Sequence, residues 1–77
     1  MLKSPHQQIA GAGFSPSDTE LLIGVFDVVF ARFSEDPLAA NAIVDALCSM
    51  AAAGCRAPEK LAAFAGHEAR ITVGSTV

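Results

Sequence analysis

Between Leu21 and Phe33 the chain carries nine bulky apolar residues in thirteen positions, interrupted by Gly24, Asp27, Ala31 and Arg32. Val, Ile and Phe dominate the run, which taken alone suits a strand. Its length does not: strands are usually about 5–6 residues long, and Asp27 and Arg32 break a period of two. Wound at about 100° per residue, Leu22, Phe26, Val29 and Phe33 fall on one stripe flanked by Val25 and Phe30. Leu21, Val28 and Ile23 widen the apolar sector to roughly 220°, where a surface helix of a monomer needs about 100°. Such a helix must be covered on more than one side.

Helix boundaries follow from the flanking residues. In Ser15-Pro16-Ser17-Asp18-Thr19-Glu20, Ser15 can cap with Pro16 at the first helical position, and Ser17 with Glu20 offers a second capping-box register. The first helix is expected from Pro16 to about Phe33. Ser34-Glu35-Asp36-Pro37 closes it and opens a second helix, Pro37 to about Ala53, with Ala39, Ile43, Ala46, Leu47 and Met50 inward and Asn41, Asp45 and Ser49 outward. Gly54 stands where a left-handed stop residue belongs. After the turn Cys55-Arg56-Ala57, a third helix starts at Pro58 and carries Leu61, Ala62, Phe64, Ala65 and Ala69 as far as about Arg70. Residues 1–13 lack periodicity and read as a flexible arm; residues 71–77 read as a frayed tail.

These elements predict an all-α fold: a small three-helix domain over residues 14–70, a long helix followed by an αα-hairpin, between flexible N- and C-terminal tails. Leu22, Phe26, Val29, Phe30 and Phe33 are expected to pack on Ile43, Leu47, Met50, Leu61 and Phe64. With 77 residues and 7.9 kDa the chain makes one domain, burying roughly 60% of its unfolded surface. Fifteen of its residues are alanine. The hydrophobic fraction of 52% therefore overstates the bulk available for a core.

The net charge of −3 argues against a general footprint for nucleic acid or anionic lipid. No 18-residue apolar run exists, so no membrane span is expected, and the N-terminus lacks the apolar region of a signal peptide. Two cysteines, Cys48 and Cys55, fit neither a disulfide scaffold nor a zinc pattern, and reduced thiols in a cytoplasmic protein are expected. His67 beside Glu68, and His6 in the arm, have no nucleophile at a local catalytic spacing. Cys55, next to Arg56, is the better candidate for a reactive thiolate. No glycine-rich phosphate loop follows a strand. The chain is read as no enzyme, with no catalytic residue, no cofactor and no metal site.

The second helix, Gly54 and third helix have the outline of a DNA-binding helix-turn-helix, with Arg56, Lys60 and Arg70 as the bases available to it. Glu59 and Glu68 oppose them, so a DNA-binding regulator is the alternative reading. The order Phe-Ser-Pro, a long helix, Asp-Pro-Leu-Ala, Ala-Ile-Val-Asp-Ala-Leu, Ala-Ala-Ala-Gly and Pro-Glu-Lys-Leu-Ala resembles small uncharacterised helical proteins of alphaproteobacteria, from Phe14 to about Arg70. That resemblance implies a short helical domain and carries no activity or ligand. The functional expectation is a non-catalytic module that binds a second copy of itself or another protein, in a homodimer with Leu21, Ile23, Val25, Val28 and Arg32 in the seam.

Overall fold

A computed structural model describes residues 4–74. Among these residues it forms four helices, each beginning on a proline: α1 (Pro5–Ala10), α2 (Pro16–Arg32), α3 (Pro37–Ala52) and α4 (Pro58–Gly74). Proline suits a first helical position because its φ is already set and its missing N–H would have no helical partner. The residue before each proline decides how well the exposed N–H groups are met. Ser4 accepts from the Gln7 amide at 3.2 Å while the Gln7 side chain accepts from the Ser4 amide at 2.9 Å, a full capping box. Ser15 accepts from the Asp18 amide at 3.2 Å, and Asp36 from the Leu38 amide at 2.9 Å. Ala57 offers α4 only its carbonyl, which accepts from the Leu61 amide at 2.9 Å.

Helix ends follow one pattern at two sites. After α3 the Cys55 amide donates to the Met50 carbonyl at 2.9 Å and the Gly54 amide to the Ala51 carbonyl at 3.0 Å, with Gly54 at φ +97°. These are the paired bonds of a Schellman stop, and glycine supplies the positive φ without steric cost. After α2 the Glu35 amide reaches the Phe30 carbonyl at 3.1 Å and the Ser34 amide the Ala31 carbonyl at 3.3 Å. Here Ser34 and Glu35 both adopt φ +55° without being glycine. The α2–α3 corner therefore holds local strain that the rest of the fold must offset.

The core is apolar throughout, with no buried polar or charged residue among the described residues. Leu22, Val25, Phe26 and Val29 of α2 meet Ile43, Val44 and Leu47 of α3 and Leu61 of α4. Alanine does the close work: α4 presents Leu61, Ala65 and Ala69 at four-residue steps, with Val73 partly buried beyond them, and α3 buries Ala39, Ala40, Ala46 and Ala51. Small side chains let two helices approach, and α3 and α4 form the most extensive helix pair. The expected αα-hairpin is this pair.

The all-α reading stands, and the count of three helices is corrected to four. Residues 5–10, expected within a flexible arm, form α1, which packs on α2 and α3 and buries Ile9 completely. The expected tail is helical as far as Gly74, because Val73 packs on the core and outweighs the poor helix propensity of Ile71-Thr72-Val73. Residues 75–77, the remainder of that tail, and 1–3 of the arm lie outside the described residues. One expected core position also differs: Phe64 is 38% exposed at the margin of the α3–α4 pair, beside Ala42, Ala46 and Ser49, whereas Phe30, Phe33 and Met50 are half-buried against the core.

Candidate functional site

Arg56, in the turn two residues before α4, clamps the start of α2 to the end of α3. Its Nε lies 3.0 Å from Asp18 Oδ1 in the first turn of α2, and its terminal nitrogen donates to the carbonyls of Ala51 at 2.6 Å and Cys55 at 3.0 Å. The guanidinium also stands 5.8 Å from the centre of the Phe14 ring. One side chain thus closes the C-terminus of α3 and ties it to the N-terminus of α2. The guanidinium bonded to Asp18 holds that carboxyl below its ordinary value of 3.8, against an opposing push from desolvation.

Beyond this clamp α2 and α4 leave an open groove of about 630 Å³. Glu20, Leu21, Gly24, Val25, Val28 and Arg32 of α2 form one wall; Pro58, Glu59, Ala62 and Ala63 of α4 form the other. The α2 residues recur at helical spacing, so a single face of that helix supplies them. Val25 is buried and makes the floor, Leu21 is half-buried, and Val28 stands 54% exposed. Charge sits at the ends. Glu20 and Glu59 lie near the clamped end, and Arg32 lies at the other, about 18 Å along the helix from Glu20 at 1.5 Å per residue.

Four of the five expected seam residues, Leu21, Val25, Val28 and Arg32, line this groove. Ile23 does not: it is half-buried against the core away from the groove. Gly24 joins them in the groove lining, at a four-residue spacing from Glu20 and Val28 that is visible in the sequence. Pro58, Glu59, Ala62 and Ala63 carry no such local signal, because the packing of α4 against α3 decides which side faces α2.

The other candidate chemistry is dispersed. Cys48 is half-buried, and burial followed by the nearby Asp45 carboxylate pushes its thiol up from the ordinary value of 9.0. Cys55 is half-buried in the α3 stop, and both thiols are free. His67 is exposed on α4, whereas His6 contacts Asp27 Oδ1 through Nε2 at 2.7 Å and lies edge-on to Phe26. Among the described residues no group of three or more His, Cys, Asp or Glu side chains is placed to hold a metal ion. No helix is long and apolar enough to cross a membrane. Arg56, one of three bases in the helix-turn-helix outline, is committed to Asp18 and to backbone carbonyls.

Among the described residues the fold is an all-α arrangement of four helices with a large apolar surface groove between α2 and α4. No protein-family model matches the chain, and no curated protein or solved structure shows significant similarity to it.

Proposed function

We propose that this chain is a non-catalytic protein-interaction module that associates with a second copy of itself through the groove between α2 and α4. The observation that carries this reading is the groove itself: an apolar floor and walls, small residues that admit a helix, and charges confined to its ends. Water gains nothing from contact with Leu21, Val25 and Val28, and covering them is the driving force for association. An amphipathic helix laid in an apolar groove is a recurring mode of protein recognition, and two-fold self-pairing is the commonest oligomer. A dimer of ordinary size would cover about 800 Å² on each protomer, about a sixth of the 4802 Å² the chain exposes.

The test is the mass of the protein in solution. Light scattering at tens of micromolar is expected to report a dimer, and Val28→Asp a monomer. Because Val28 is 54% exposed, the aspartate should leave helical circular dichroism and thermal unfolding of the monomer intact. A wild-type chain that remains monomeric at those concentrations overturns the reading.

A further inference from the structure

Glu20, Gly24, Val28 and Arg32 stand at successive four-residue steps and form one row along the α2 wall of the groove. Rows at this spacing are the ridges by which packed helices interlock. Read in order, the row is an acid, a residue without a side chain, a bulky apolar residue and a base. We infer that a second copy of the chain lays its α2 antiparallel along this row, about a two-fold axis passing midway between Gly24 and Val28. The inference rests on the self-association proposed above and specifies its register.

Reversing the row and laying it on itself pairs every member with its complement. Glu20 faces the partner's Arg32, and Val28 sits over the partner's Gly24. By symmetry each contact occurs twice. A parallel arrangement would set acid on acid, base on base and Val28 on Val28, leaving the space over Gly24 unfilled. Neither Glu20 nor Arg32 has an ion-pair partner among the described residues, so both charges are available to a second chain. A Cβ on Gly24 would meet nothing within 4 Å, so the chain's own packing does not call for glycine there, while glycine weakens a helix interior relative to alanine. The gap it leaves accepts the Val28 side chain of a second copy. Ala62 and Ala63 keep the opposite wall low, and Glu59, in the first turn of α4 beside the Glu20 end, adds a second carboxylate where the incoming guanidinium arrives.

The register is tested by charge exchange in the full chain, read as the dimer dissociation constant by sedimentation at low ionic strength. Glu20→Arg and Arg32→Glu are each expected to weaken the dimer about tenfold, because each creates two like-charge contacts at the rim. The combined variant should return to within about threefold of wild type. Gly24→Leu, which fills the space over Gly24, should dissociate the dimer at any salt concentration while its circular dichroism stays helical. A dimeric wild type whose combined variant is as weak as either single one overturns the antiparallel register and leaves self-association standing. A monomeric wild type removes both.

Discussion

Ile9 is the only buried side chain of α1, and Ile9→Ala separates a docked helix from a loose arm. The substitution removes three buried carbons, worth about 2.4 kcal/mol at roughly 0.8 kcal/mol per buried CH₂. A cavity left behind would raise that to about 3–4 kcal/mol. A six-residue helix cannot persist alone, because its nucleation cost is spread over too few bonds. The loss is therefore expected to appear as undocking of α1 instead of a cavity held in place. Total stability for a domain of this size is about 4–12 kcal/mol, so a loss of about 2–3 kcal/mol is large. Hydrogen exchange reads it directly. The amides of Gln8, Gly11 and Ala12, bonded to Ser4, Gln7 and Ile9 carbonyls at 2.9, 2.9 and 3.2 Å, should lose protection while the core amides of α2 and α3 keep theirs. Urea unfolding should show a lower midpoint and a smaller m, since less surface remains to be exposed. Leu38→Ala, at a position 52% exposed, serves as the control and should change little. If the α1 amides stay protected and the midpoint moves no more than in the control, Ile9 does not anchor α1 and the reasoning fails.

Two further predictions concern the clamp and the strained corner. Asp18 has its folded pKa lowered by Arg56; its contribution is therefore present above the unfolded value and lost as pH falls through the lower folded one. The stability deficit of Arg56→Ala should therefore narrow as pH falls below the ordinary Asp18 value of 3.8, leaving the part due to the bonds to the Ala51 and Cys55 carbonyls, and a deficit that does not change with pH would refute the assignment. Ser34→Gly relieves a positive φ at the stop of α2, and about 1 kcal/mol of relief raises Tm by about 4–8 °C in a domain of 60–100 residues. A fall in Tm would show that Ser34 is held there by something other than backbone geometry.

The long helices were legible because each repeats its signal. Leu22, Phe26 and Val29 share a stripe across about two turns, and Ser15-Pro16, Asp36-Pro37 and Gly54 mark ends by known backbone chemistry. α1 escaped because a helix with one buried residue has no period to detect. Its sign was the start itself, Ser4-Pro5 with Gln7 three residues after the cap, the same grammar as Ser15-Pro16. Phe64 misled for the opposite reason: it sits at a plausible inward spacing, but Leu61, Ala65 and Ala69 take the inward side because alanine permits a closer approach to α3. The groove was half visible. Its α2 wall follows from an apolar sector too wide for one partner, whereas its α4 wall depends on how α3 rotates α4, which no local spacing records. In the sequence Arg56 is only a neighbour of Cys55 and a potential DNA contact. Its clamp needs Asp18 and the Ala51 carbonyl brought to it, 38 and 5 residues away in sequence.

The dominance of the α3–α4 pair has a consequence for the order of events as the chain folds. Contacts between helices joined by a five-residue turn close a short loop, so they form at low entropic cost and early. Folding should nucleate in this hairpin, with α2 condensing onto it and α1 arriving last. Substitutions among Leu61, Ala65 and their α3 neighbours would then slow folding, while those at Ile9 would chiefly quicken unfolding. The alanines that make the hairpin tight thus also set the rate at which the chain finds its fold.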